Sequence, residues 1–326
     1  MKKKFFHIPI FVPHKGCPHD CVFCNQRKIT GRQKDISIDE AKLIIDSHLE
    51  TIEKCNSKGT YYAEIAFFGG SFTAIDINKQ TGLLCLAQSY VNSGRVQGIR
   101  CSTRPDAIDD DILSNCKKYG VTAIELGVQS ADEEVLLLSE RGHSFKDVEN
   151  ASDLIKKYGI ELGLQMMTGL PGDTFEKSIE TAKKIASLCP KNVRIYPTLV
   201  MEDTRLMDMY KKGEYEPQSL LYAVNLAADV AQIFIAKGID ILRISLQTTD
   251  GVNAKTVIGP YHEAFAELVY SEIEKRKLEK HIKENNLSNC TLEIKTDKPS
   301  QVIGHGKSNK EYFKEKYNID IKLTKN

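Results

Sequence analysis

The chain has no tryptophan, almost no net charge, and no apolar run near the ~20 residues that cross a bilayer. Each absence excludes something. Without such a run no segment reads as a membrane span. A formal charge of +1 over 326 residues gives no electrostatic reason, at the level of the whole chain, to expect a nucleic-acid or membrane partner. Nine cysteines are an odd number, scattered apart from one N-terminal triplet, in a chain too long to need stapling. That usage reads as reducing and cytoplasmic. Met1 to Lys4 followed by Phe5 to Val12 has the outline of a signal peptide. Its apolar part is broken by His7 and Pro9 and has no small-residue cleavage site, so it reads as a first strand.

What is present is alternation. Apolar runs at Ile8–Val12, Tyr61–Phe68, Gly98–Ser102, Val121–Val128, Ile160–Met167, Val193–Pro197 and Ile239–Leu246 read as strands. Between them Ser37–Cys55, Asn78–Asn92, Asp109–Tyr119, Phe145–Tyr158, Thr174–Leu188 and Pro217–Lys237 read as helices. Ser37 with Glu40 forms a capping-box pattern, and Asp173-Thr174 precedes another helix start. The βα repetition predicts an α/β fold with a parallel sheet, either a barrel or an open doubly wound sheet. Function then collects at the C-terminal strand ends.

Behind the first strand lies Cys17-Pro18-His19-Asp20-Cys21-Val22-Phe23-Cys24. Three thiolates in eight residues do not wrap a tetrahedral ion alone, but they hold three irons of a [4Fe–4S] cube and leave the fourth iron open. A Cys₃His zinc site through His14 or His19 is the chemical alternative, although structural zinc sites usually draw on two separated ligand pairs. Other unusual residues sit at strand ends: Gly69-Gly70-Ser71, Thr103-Arg104-Pro105-Asp106, Gln129-Ser130, and Thr168 to Thr174. Taken singly each is an ordinary turn, and Gly169 to Gly172 most of all. Four polar or glycine-rich ends on successive strands, facing the same way as the cysteine loop, read as one site. Glu125 falls either inside the barrel or in a salt-bridged position. Arg141-Gly142-His143 is either a cap or a site segment. Arg194 and Tyr196 alternate along the sixth strand.

These stretches together resemble the radical S-adenosylmethionine enzymes. Within them the chain is similar to the group containing the elongator catalytic subunit and oxygen-independent coproporphyrinogen oxidase. The elongator side is favoured by Arg141-Gly142-His143, Tyr196 to Val200 and Gly259-Pro260-Tyr261-His262. The resemblance implies a partial (β/α)6 TIM-like barrel of parallel strands over residues 1–250. A connecting helical segment at 251–286 and a small C-terminal α+β extension at 287–326 follow. It implies that Cys17, Cys21 and Cys24 ligate the [4Fe–4S] cluster and that S-adenosyl-L-methionine chelates the open iron. Phe23 would face the adenine, Gly69, Gly70 and Ser71 the methionine amino end, Gln129 and Gln165 the ribose, and Arg141 the carboxylate. Ser102 and Gln165 stand where the oxidase pattern has Glu and Asp. The implied chemistry is reductive cleavage to a 5′-deoxyadenosyl radical that abstracts hydrogen, with a flavodoxin- or ferredoxin-like reductant. Tyr196, His143 and Tyr261 are the candidate catalytic residues.

The elongator subunit continues into an acetyltransferase domain, for which a chain ending at Asn326 leaves no room, so the expected substrate is an RNA (tRNA) nucleoside without acetyl transfer. A tetrapyrrole or other small substrate, or cofactor and RNA binding without turnover, are the alternatives. The tail, read as β-α-β, holds Val302 to Lys307, which resembles the phosphate-clamping loop of KH modules with its glycines spaced G-x-G. Lys295, Lys298, Lys310, Lys314, Lys316, Lys322 and Lys325 make it locally basic. RNA contact through the barrel mouth and this tail is the corresponding expectation.

Overall fold

The computed structural model describes residues 4–12, 17, 21–25, 35–56, 59–246 and 252–324. His14, His19 and Lys325 lie outside the described residues. Six strands follow one another as β1 (Lys4–Val12), β2 (Tyr61–Gly69), β3 (Gly98–Thr103), β4 (Ala123–Gln129), β5 (Glu161–Thr168) and β6 (Asn192–Pro197). A two-residue β7 (Val200–Met201) precedes β8 (Asp240–Ile244). The sheet runs β1-β2-β3-β4-β5-β6-β8, parallel throughout, with β1 and β8 as its edges. It is therefore a partial barrel of seven strands: the six of the implied (β/α)6 unit and β8, which falls within the Ile239–Leu246 run. The strands were legible because a parallel sheet covered on both faces reads as apolar runs. In β2 to β6 most positions are buried. Pro9 is tolerated because β1 is an edge.

The crossovers are α1 (Ile38–Cys55), α2 (Ile77–Asn92), α3 (Asp110–Lys118), α4 (Glu133–Leu138) with α5 (Phe145–Lys157), α6 (Phe175–Ser187), and α7 (Arg205–Lys211) with α8 (Leu220–Ala236). Their starts carry the predicted chemistry. Ser37 Oγ accepts the Glu40 N–H at 3.1 Å, and Thr174 caps α6. A full capping box at Ser144 and Asp147 fixes the entry to α5, which sets the segment just before it, Arg141 to His143. One apolar core runs from Ile8 on β1 to Ile273.

Beyond β9 (Val257–Ile258), which pairs antiparallel with β7, comes α9 (Phe265–Glu284). Its first half buries Phe265, Val269 and Ile273 on the barrel, while Ile282 joins a second, smaller core with Val302, Phe313, Ile319 and Ile321. The expected β-α-β tail is corrected here to β-α-α-β. It consists of β10 (Thr291–Lys295), α10 (Pro299–Ile303), α11 (Ser308–Tyr317) and β11 (Asp320–Thr324), with the two strands parallel. Pro299 opens the extra turn and Gly304 ends it at φ +82°, where an added Cβ would lie 2.7 Å from the Asn309 nitrogen. Much of the tail's positive charge is also compensated: Lys314 pairs with Asp320, Lys316 with Glu279 and Lys322 with Glu293.

Candidate active site

The C-terminal ends of the strands enclose a cavity of about 550 Å³. That lies within the ~300–1,000 Å³ range of small-molecule sites. Cys17, Cys21 and Cys24 line it together with Phe23, Gly69, Gly70, Ser71, Ser102, Gln129, Arg141 and Gln165. Every residue that the resemblance implied for cluster or cofactor is thus on one surface.

The cysteine loop is held from both sides by main chain. The Val22 N–H donates to Ser139 O at the end of α4, and the Leu206 N–H at the start of α7 donates to Val22 O. Val22 and Phe23 plug into an apolar cluster with Val200, Leu206 and Met207. Two sulfurs have polar neighbours from distant strands: Cys17 Sγ lies 3.2 Å from Ser71 Oγ, and Arg141 Nη1 donates to Cys21 Sγ at 3.5 Å. None of the nine cysteines is in a disulfide.

Gln129 reaches the cavity through a backbone irregularity. The β4–β5 register shifts between Gly127 and Gln129, and Gln129 takes φ +66°. Such bulges re-aim a side chain and collect at functional sites. Gln165 Nε2 then donates to Gln129 Oε1 at 3.1 Å. Gly127 makes room, since a Cβ there would stand 2.8 Å from both Arg141 Nη2 and Gln129 Nε2. Arg141 donates from Nη2 to Gly127 O at 2.7 Å and from Nε to His143 Nε2 at 3.0 Å. His143 Nδ1 lies 3.1 Å from Ser144 O, which fits a neutral ring with its proton on Nδ1.

His143 is therefore behind Arg141 rather than on the cavity wall, and Tyr261, itself not on the wall, packs against Leu199, Met201 and Val252, which line it, and Val257. Of the three catalytic candidates only Tyr196 lines the cavity. The Gly169 to Gly172 loop is a turn. Both glycines have positive φ, and Asp173 accepts from the Gly169 N–H and the Ser178 hydroxyl, both at 2.7 Å. Glu125 is inward and salt-bridged at once: it lines the cavity, takes Arg194 Nε at 2.6 Å and Nη2 at 3.1 Å, and receives Arg100 Nη1 at 3.3 Å. Arg104, part of the Thr103 to Asp106 strand end read as site, lines the cavity, although the sequence assigns it no role singly. It is 1% exposed, grips Asp106 with two nitrogens at 2.9 Å, and leaves Nη1 without a partner.

Burial and then the Arg141 charge push His143 down to about 4. The unfolded ring takes its proton near pH 6.5, so the unfolded chain binds the extra proton between the two values. The stabilisation is complete above about pH 6.5 and is lost as pH falls toward 4. Urea unfolding at pH 7 and pH 5 is expected to differ by on the order of 2 kcal/mol from this residue alone. His143→Gln should flatten that part of the profile; an unchanged slope would contradict it.

The donor set fits an iron–sulfur cube. Among the described residues no three His, Cys, Asp or Glu side chains stand close enough to share one metal ion, and His14 and His19 lie outside the described residues. A cube takes each thiolate on a different iron. The Ser71 and Arg141 donors stand beside two of the sulfurs, as hydrogen-bonding neighbours of a cluster do. Fold and site together define a partial parallel α/β barrel with a triad of free thiols lining the cavity at the C-terminal ends of its strands.

Residues 11–185 match the Radical SAM superfamily and residues 190–275 the Radical_SAM C-terminal domain. The chain belongs to the radical S-adenosylmethionine superfamily, whose cofactors are a [4Fe–4S] cluster and S-adenosylmethionine. It is 30% identical to the tRNA uridine(34) acetyltransferase of Methanocaldococcus infernus, over 83% of this chain and 57% of that protein. It is 35% identical to human Elongator complex protein 3 over 41% of this chain and 25% of that one. The solved archaeal Methanocaldococcus infernus Elp3, lacking residues 1–46, superposes with a TM-score of 0.65 at 25% identity, over 85% of this chain and 64% of that one. The chain spans about half the length of the curated acetyltransferases it matches.

Proposed function

We propose that this enzyme modifies a nucleoside in RNA, a tRNA by the kinship of its relatives, with Cys17, Cys21 and Cys24 holding the cluster. The observation that carries the assignment is the shared wall: three thiols and every residue implied for S-adenosylmethionine line one cavity at the strand ends. Held by these three thiols and reduced by a flavodoxin- or ferredoxin-like protein in the cytoplasm, a cluster would supply the electron for reductive cleavage of S-adenosylmethionine, the source of the hydrogen-abstracting radical. The protein's own residues orient and protect. Arg141 donates toward Cys21, and Ser71 Oγ, 3.2 Å from Cys17 Sγ, would donate to it as a thiolate; both stabilise negative charge on sulfur. Gly69 and Gly70 let the backbone approach an amino-acid moiety. The Gln129–Gln165 pair offers amides to ribose hydroxyls. The Val22–Phe23 plug anchors the segment that carries Cys21 and Cys24.

The exposed turn from His305 to Lys307, between two helices, suits contact with an RNA backbone. The paired lysines of the tail favour a second reading, in which the tail only packs and the substrate is a small molecule. Mass spectrometry of nucleosides in RNA from cells with and without this protein separates the two. The first predicts at least one modified nucleoside that disappears with the gene; identical profiles would reject it.

A further inference from the structure

Just past β3, Arg104 lies on the cavity wall at 1% exposure, yet its Nη1 bonds to nothing among the described residues. A buried N–H without an acceptor costs free energy, more so on a charged group, so such an atom marks a place where an acceptor arrives from outside the chain. Asp106 holds Nε and Nη2, both at 2.9 Å. Because the guanidinium is planar and rigid, this clamp turns Nη1 to the opposite edge. The backbone beneath is pinned as well. Thr73 Oγ1 donates to Ala107 O at 2.6 Å and lies 2.5 Å from Thr103 Oγ1, and Pro105 opens the short helix Pro105–Ala107. Arg104 cannot swing to another partner without breaking its hold on Asp106.

The wall around it suits an anion. The cavity lining holds Arg104, Arg141, Arg194 and Arg243 against a single carboxylate, Glu125, which Arg194 and Arg100 already occupy. Arg141 bonds to the neutral His143 ring, the Gly127 carbonyl and the Cys21 sulfur, which leaves N–H donors over on Nη1 and Nη2. The His143 ring feels the positive charge of both Arg141 and Arg104, which places the two guanidiniums in one neighbourhood.

Strand order says which part of a ligand falls there. β2, β3 and β4 are consecutive neighbours: Gly69 and Gly70 stand at the end of β2, Arg104 leaves β3, and Arg141 is tied to Gly127 on β4. In an amino acid the amino and carboxylate groups share one carbon. A methionine moiety whose amino end meets Gly69 to Ser71 therefore has its carboxylate over the next strand, β3.

We propose that Arg104 Nη1 donates to one carboxylate oxygen of S-adenosylmethionine and Arg141 to the other, so that two guanidiniums hold the group rather than Arg141 alone. The inference rests on the cofactor part of the proposed function and is independent of whether the substrate is RNA.

Anaerobic equilibrium dialysis of the reconstituted full chain, with S-adenosylmethionine and its decarboxylated analogue as the two probes, tests it. The parent should prefer S-adenosylmethionine. Arg104→Gln, at the same iron content, should cut that preference about tenfold, the scale of one lost hydrogen bond to a charged group. It should bind the decarboxylated analogue as the parent does. Equal weakening for both probes would give Arg104 a structural role only, and an unchanged preference would mean that Nη1 serves a water; either result overturns the proposal. Should Arg104→Gln lose its fold, Arg104→Lys, which keeps the charge beside Asp106 but not the rigid fork, carries the same expectation. A parent that binds neither probe would sink the cofactor reading and this inference with it. A parent that binds S-adenosylmethionine with a preference independent of Arg104 would sink the inference alone.

Discussion

Cys21→Ala protein, reconstituted anaerobically with iron and sulfide, is expected to carry both at background levels while keeping its circular dichroism spectrum. Cys21 is buried at the centre of the loop, and Arg141 already donates to its sulfur. Two thiolates from the remaining pair cannot hold a cube that lacks a third. The fold should survive because the loop is tied by the main chain of Val22 to Ser139 and Leu206 and by the Val22–Phe23 plug, none of which involves the thiol. Bound iron equal to that of the parent, or a stoichiometric zinc ion in either protein, would contradict the cluster assignment.

Glu125→Ala should be among the most destabilising single substitutions in the chain. Glu125 is 4% exposed and Arg194 8%; Arg100, at 3%, shares the same carboxylate. Removing one member of a buried ionic network strands the others, which costs about 3–5 kcal/mol. Arg194 would lose both its strongest contacts, while Arg100 would keep Glu64 and Glu161. The measurement is the urea midpoint at constant slope. A loss below about 1 kcal/mol would mean that water enters and solvates the guanidiniums, the usual fate of an exposed pair.

Local pattern made the barrel legible and long-range contact hid much of the site. The strands were found because both faces of the sheet are covered, and the cysteine triad because its members lie within eight residues. The bulge that swings Gln129 inward has no such signature, since Val128-Gln129-Ser130 looks like an ordinary strand end until β5 is laid beside it. The same is true of His143, which the sequence left equally open as cap or site. Its role as the acceptor for Arg141 appears only when α5 is capped and the segment folds back. Arg100, Glu125 and Arg194 did leave a trace: ionisable residues in the middle of three otherwise apolar strands, which is costly unless they meet. Reading them as a set would have found the network. The β7–β9 pair joins two-residue strands more than fifty positions apart, too short for periodicity to show. Pro299 and Gly304 did signal the extra tail helix, but their meaning depended on the small core around Phe313.

The most direct test of the central claim is mass-spectrometric detection of 5′-deoxyadenosine after the reconstituted, dithionite-reduced parent protein is mixed with S-adenosylmethionine in the absence of oxygen. Release that requires both reductant and cluster is the predicted result. A protein with a full complement of iron and sulfide that leaves S-adenosylmethionine intact would contradict it.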